Sequence, residues 1–260
     1  MTASVTAVVL AGGTLEESLQ QVVPPVKHKA WIPLGGRLLV ERVLNALHGS
    51  SRIAERVLVA SPADVPARVR ALVDTVAEPG PSPLLSLESG LQKLSRDDLP
   101  VLVIPCDMCF LEPLSIEDFL DRCARRSADL YYSYVRRETS EARYPGLRHT
   151  WVKLREGTFC GGGLMLCRPQ SIQRARAFLD SLTQERKRPW QLARLLGPKI
   201  ILKWVFGQLS IADLEERTSL HLRVRAVGIE SPHPDVGFNV DAPEELATAL
   251  SLVEPTTSSS

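Results

Sequence analysis

The chain has 260 residues, enough to bury a large core as one domain or as a main domain with a subdomain. Its 31 lysines and arginines nearly balance its 30 aspartates and glutamates, and the formal net charge of +1 provides no global field to recruit nucleic acid. No apolar run is long enough to span a bilayer, and the N-terminus lacks a basic region, apolar stretch and cleavage site in series, so a cytoplasmic chain is expected.

The first predicted element is an apolar strand, Val5–Leu10, which stops at the paired glycines Gly12 and Gly13. Without side chains there, backbone N–H groups can approach a ligand closely, and Lys29 downstream can reach its phosphates as a point charge. A second glycine pair, Gly35-Gly36, precedes a helical stripe over Leu38–Leu47 with apolar residues at Leu39, Val43, Leu44 and Leu47. Strands are then predicted at Arg56–Ala60, Val101–Ile104 and Asp129–Val135, alternating with helices at Val65–Val73, Leu84–Leu94 and Ser115–Arg126. Ser115 and Asp118 form a capping-box-like start for the last of these. Strands alternating with helices imply βαβ units and a mostly parallel sheet, whose ligands gather at the carboxyl ends of the strands. Gly12, Gly13 and Asp107 all fall at such ends.

The pattern changes after Arg136. Arg136–Thr150 is polar and charged and reads as a surface excursion, with strands at Trp151–Leu154 and Leu164–Cys167 flanking the run Gly161-Gly162-Gly163. A helix at Ser171–Leu182, strand-like alternation over Leu222–Ile229 and a closing helix at Ala242–Val253 follow, and Glu254–Ser260 reads as a disordered tail. The predicted organisation is one domain over 1–253, with 136–235 as a C-terminal elaboration. The five cysteines are an odd count, which predicts reduced thiols. Cys106 and Cys109 have C-x-x-C spacing without a second such pair, so they read as small buried hydrophobes rather than zinc ligands.

Four segments occur in an ordered series: Leu10-Ala11-Gly12-Gly13, Lys29-Ala30-Trp31-Ile32-Pro33-Leu34-Gly35-Gly36-Arg37, Pro105-Cys106-Asp107-Met108-Cys109-Phe110-Leu111 and Asn239-Val240-Asp241-Ala242-Pro243-Glu244-Glu245-Leu246. Across nearly the whole chain this series resembles the nucleotidyltransferases related to the molybdenum-cofactor guanylyltransferase and to sugar-phosphate nucleotidyltransferases. The resemblance implies a Rossmann-like, glycosyltransferase-A-type α/β fold. It also implies transfer of a nucleoside monophosphate from a nucleoside triphosphate to a phosphorylated small-molecule acceptor, with pyrophosphate released.

Transfer at an α-phosphorus needs positioning and neutralisation of the phosphates, which Mg²⁺ held by one or two carboxylates supplies. Asp107, after an apolar strand, is the leading metal candidate; an ordinary loop acid is its bland reading. Asn239 and Asp241 compete as the second ligand, and Asp241 with Glu244 also reads as a helix capping box with Pro243 in the first turn. By resemblance Lys29 holds the triphosphate, against a solvated surface lysine. Leu10 and Ala11 present backbone groups to the base, and Gly80-Pro81-Ser82 resembles the base-contacting loop, although a plain turn accounts for it as well. Gly161, Gly162 and Gly163 are candidates for the acceptor pocket.

One departure stands out. Family members carry an arginine shortly after the paired glycines, whereas Thr14–Gln21 has no basic residue and places Glu16 and Glu17 there. Both acids would repel a triphosphate unless they point away from it. Lys27 or His28 would have to supply the missing charge. A second reading is therefore a degenerate nucleotide-binding protein without turnover. A third concerns Arg186–Trp204, where six basic residues accompany Trp190 and Trp204 with no acid between them. That stretch reads as a packed amphipathic segment with a solvated basic face rather than a membrane-binding one.

Overall fold

The computed structural model describes residues 4–96, 98–174 and 198–253. Its central strands are β1 (Val5–Leu10), β4 (Ile53–Val59), β5 (Thr75–Ala77), β6 (Val101–Pro105), β7 (Leu130–Arg136), β8 (Val152–Leu154), β9 (Gly157–Cys167) and β10 (Ala226–Ser231). They form an eight-stranded sheet in the order β10-β7-β9-β6-β1-β4-β5, with β8 paired to β9. β1, β4, β5 and β6 pair in parallel, as do β7 and β10, while β9 runs antiparallel between β6 and β7. The mostly parallel α/β architecture expected from the alternation is present.

Strand β1 is buried from Val5 to Val9, as a central parallel strand covered on both faces must be. Ala7 and Val9 face one core, with Val43 and Leu47 of α2 (Leu39–Gly49) and Ile116 and Phe119 of α5 (Pro113–Ala124). Val8 faces the other, with Leu84 and Leu87 of α4 (Pro83–Leu91) and Leu222 of α8 (Ile211–Leu222). The remaining helices are α1 (Glu17–Gln20), α3 (Ala67–Arg70), α6 (Arg137–Arg143), α7 (Pro198–Val205) and α9 (Pro243–Val253). Among the described residues no helix is long and apolar enough to cross a membrane.

Several boundaries differ from expectation for identifiable reasons. Helix α5 starts at Pro113 after Glu112, because proline suits the first helical position. Ser115 is thereby already inside the helix, and Asp118 pairs with Arg122 at 2.6 Å instead of closing a capping box. The Val65–Val73 helix shrinks to α3, since Pro66 takes an extended N-cap conformation. Gly35 and Gly36, both at positive φ, form the turn of the small hairpin β2 (Pro33–Leu34) to β3 (Arg37–Leu38).

Helix α8 had no counterpart in the sequence reading, although Ser210 and Asp213 form a reciprocal capping box at its start. The strand expected from Leu222 therefore begins later, at Ala226.

The segment 136–150 is mostly exposed, as expected, but is not without structure. It forms α6 and then buries Tyr144 and Leu147, and Tyr144 meets Phe238 at 4.8 Å and Phe110 at 5.8 Å between ring centroids. The three glycines do not form a turn between strands; all lie inside the single strand β9. Residues 175–182 of the expected Ser171–Leu182 helix, residues 186–197 of the basic stretch and residues 254–260 lie outside the described residues. Within α7, Ile200 is buried but Trp204, expected to pack, is exposed.

Candidate active site

The ends of β1 and β6 lie side by side, and Cys106 N–H donates to the Leu10 carbonyl at 3.1 Å. Asp107 follows at the end of β6, and its carbonyl accepts from Val240 N–H at 3.3 Å. That bond ties the segment Asn239–Asp241 to the strand end. The Thr14–His28 bridge and a 3.1 Å contact between His28 Nδ1 and the Gly13 carbonyl pin the glycine loop to the chain entering the 3₁₀ turn Lys29–Trp31.

Lys29 stands where these segments converge. Its Nζ lies 2.6 Å from Asp241 Oδ1, 3.1 Å from Asp107 Oδ2 and 3.3 Å from Glu16 Oε1. Burial pulls the ammonium pKa down, but the Asp107, Asp241 and Glu16 carboxylates together overcome it and hold Lys29 above the usual lysine range. Burial pushes the Asp107 carboxyl up against the opposing pull of Lys29. One ammonium among three carboxylates leaves the site with an excess of negative charge.

Two oxygens at this point are buried and unpartnered: Asp107 Oδ1 and Asn239 Oδ1. Buried acceptors without a hydrogen-bond partner are costly and call for an explanation. A hard cation is one. Together with the exposed Asp241 carboxylate they form an all-oxygen donor set, the kind Mg²⁺ takes. Among the described residues no group of three or more His, Cys, Asp and Glu side chains is arranged to hold a metal by itself. Both C-x-x-C cysteines are buried, as expected of small hydrophobes.

Helix α9 is entered without the Asp241–Glu244 capping box. Glu245 reaches back to accept from Ala242 N–H at 2.6 Å, and Asp241 points to Lys29 instead. Lys27 and His28 both turn to one carboxylate: Lys27 Nζ is 3.1 Å from Asp64 Oδ1, and His28 Nε2 is 3.8 Å from its Oδ2.

The candidate base-binding segments are also neighbours. A Cβ on Gly12 would sit 2.3 Å from Pro79 Cβ, so glycine lets residues 79–82 close against the end of β1, whereas a Cβ on Gly13 would meet nothing within 4 Å. Several backbone groups here are already engaged. Ala11 N–H donates to Val59 O, and both the N–H and the carbonyl of Gly80 bond Ser86 Oγ. Ser82 Oγ accepts from Leu85 N–H as the N-cap of α4.

Beside Asp241 opens a cavity of about 420 Å³ lined by Arg148, His149, Thr150, Cys160, Gly161, Gly237, Asn239, Asp241 and Glu245. Of the three glycines proposed for the acceptor, Gly161 alone is in its wall. Gly162 packs on Ser133 and Val236, and Gly163 on Met108, where the β7–β9 register is interrupted between Tyr132 and Tyr134. Sequence reasoning singled out Glu16 only as a repulsive neighbour, not as a partner of Lys29, and it missed the wall Arg148-His149-Thr150. That wall had no signal, since its place depends on Tyr144 docking between Phe110 and Phe238.

Residues 7–190 match the family model described as a MobA-like NTP transferase domain. A solved structure from Thermus thermophilus, described as a hypothetical transferase, is 34% identical with a TM-score of 0.80, over 94% of this chain and 99% of that one. A 2-C-methyl-D-erythritol 4-phosphate cytidylyltransferase, also from Thermus thermophilus, is 16% identical with a TM-score of 0.57, over 96% and 99%. A CMP:2-keto-3-deoxy-manno-octonic acid synthetase complexed with CTP is 13% identical with a TM-score of 0.57, over 97% and 99%. At those identities the last two show a shared fold. No curated protein sequence matches the chain. The family model spans most of the chain and takes in the first three of the four ordered segments, and the chain belongs to the MobA-like NTP transferase family.

Proposed function

We propose that this protein transfers a nucleoside monophosphate from a nucleoside triphosphate to a phosphorylated small-molecule acceptor, releasing pyrophosphate. The observation that carries this reading is the convergence of Lys29, Asp107 and Asp241 at the carboxyl ends of β1 and β6, with Asp107 Oδ1 and Asn239 Oδ1 left unpartnered. In the reaction an acceptor phosphate oxygen attacks the α-phosphorus, the bond from that phosphorus to the α–β bridging oxygen breaks, and pyrophosphate leaves with the electron pair. Lys29 supplies positive charge to the phosphate chain. Asp107, with Asn239 or Asp241, holds Mg²⁺, which when bound neutralises phosphate charge as a Lewis acid. The cavity beside Asp241 receives the acceptor. Its wall is polar and mixed in charge, with Arg148 set against Asp241 and Glu245. Five buried free thiols fit a reducing compartment, and the cytoplasm is the proposed location.

Glu16 favours the second reading, a nucleotide binder without turnover, because its carboxylate turns toward Lys29 rather than away. One experiment separates the two. Each common nucleoside triphosphate is screened with and without Mg²⁺ for thermal stabilisation, then for pyrophosphate release with a panel of phosphorylated sugars and alcohols. Stabilisation followed by Mg²⁺-dependent pyrophosphate release supports the transferase. Stabilisation with no release from any acceptor supports the binder.

A further inference from the structure

Glu16 is held in place by its neighbours in sequence. Leu15 and Leu19 on either side are buried, and the Glu16 carbonyl accepts the N–H groups of Leu19 and Gln20 at 3.0 Å each. Its side chain makes no capping bond at the start of α1, so the carboxylate is free to meet Lys29. Glu17 is exposed and does not join the Lys29 cluster, so the two adjacent acids occupy different electrostatic settings.

A triphosphate reaching Lys29 must compete with three carboxylates for one ammonium. A cation at Asp107 and Asp241 would occupy two of them. The pull of Asp107 toward such an ion is independently visible in its unpartnered Oδ1, on a side chain that is only 9% exposed. Glu16 then remains as a negative charge beside the phosphate path.

We infer that Glu16 couples triphosphate capture to the divalent cation: it holds the Lys29 ammonium and repels a bare triphosphate, so that the site accepts the cation complex. This rests on the proposed role of Lys29 as the triphosphate-binding group. A unit charge within a few ångströms of a phosphate chain at a half-exposed position changes affinity by about tenfold.

The test uses the full chain and inorganic tripolyphosphate, which carries the phosphate chain without a base, titrated by calorimetry in chelator and in Mg²⁺. In chelator, Glu16→Gln binds about tenfold tighter than the wild type, while in Mg²⁺ the two agree within about threefold. Glu17→Gln keeps the wild-type ratio, because a general loss of negative charge is not the cause. Melting temperatures of both variants, unchanged by the exposed substitutions, confirm that the comparison is between folded proteins. An unchanged ratio in Glu16→Gln, or an equal change in Glu17→Gln, overturns this inference alone. Absence of tripolyphosphate binding to the wild type in Mg²⁺ overturns the proposed role of Lys29 and the inference with it.

Discussion

Lys29 and Asp241 are separated by 212 positions in the chain, yet Nζ of one lies 2.6 Å from Oδ1 of the other. The contact joins the turn after the glycine loop to the entrance of the closing helix, and Asp107 Oδ2 accepts from the same Nζ at 3.1 Å. The ammonium offsets a buried carboxylate, and in the proposed function it has the second duty of presenting charge to the triphosphate.

Both duties predict the behaviour of Lys29→Met. Losing a charge-assisted phosphate contact lowers triphosphate affinity by about 10- to 100-fold. The fold also weakens, because removing one partner of a buried pair costs about 3–5 kcal/mol when the other stays charged. Asp241 is exposed and can turn to water, which places the loss at the lower end. Calorimetry and thermal melting on the same variant check both effects. Wild-type affinity would remove Lys29 from the site.

Asp107→Asn keeps the side-chain shape and removes the charge that anchors a hard cation. Pyrophosphate release should fall by orders of magnitude, since neutralisation of the phosphates acts on charge developing in the transition state. Triphosphate binding in chelator should hold or improve, because a carboxylate beside phosphates repels them. A purely structural Asp107 predicts a lower melting temperature and an unchanged response to Mg²⁺. Release at the wild-type rate would sink the proposed mechanism.

The β1-to-Asp107 half of this arrangement was legible because strand, glycine loop and strand-end acid are local patterns whose place in a parallel sheet follows from handed βαβ connections. Asp241 was ambiguous for a local reason, since Asp-x-x-Glu can cap a helix as well as bind an ion. The decision came from Glu245, one residue beyond the expected partner, which bonds Ala242 N–H and releases Asp241. The glycines of β9 were misread as a turn because glycine count does not distinguish a bend from a strand packed tightly on Met108 and Ser133. Residues 148–150 reach the cavity through a tertiary contact, the docking of Tyr144 against Phe238, which no spacing encodes.

That tight packing makes Gly163 a sensitive position. An added Cβ would stand 2.2 Å from Met108 Sδ, and Met108 is fully buried beside Asp107. Gly163→Ala should cost about 1–3 kcal/mol by overpacking. Shortening the neighbour, in Gly163→Ala with Met108→Ala, should recover part of the loss relative to the sum of the single changes. Additive losses in chemical denaturation would show that the two side chains do not compete for one space. Gly161→Ala should cost less, since its new Cβ meets the Tyr132 hydroxyl, the far end of a partly exposed side chain, at 2.9 Å.

The last prediction concerns His149 in the cavity wall. Its ring packs edge-on to Trp151 at 4.8 Å, its Nε2 lies 3.1 Å from Ser140 Oγ, and burial lowers its pKa from the ordinary value. Arg148 is adjacent in the chain, and Arg137 lies over the Trp151 ring at 5.6 Å. A histidine whose folded pKa is depressed binds its proton more readily in the unfolded chain. Its contribution to stability is therefore present at neutral pH and is lost as the pH falls through the ordinary value near about 6.5. His149→Gln keeps a polar side chain able to reach Ser140 but cannot titrate. The variant should show a flatter dependence of unfolding free energy on pH between about 7 and 5, with little change at about pH 8. Parallel denaturation curves across that range check it. Equal slopes for wild type and variant would mean that His149 binds protons alike in both states and is not buried as a neutral ring.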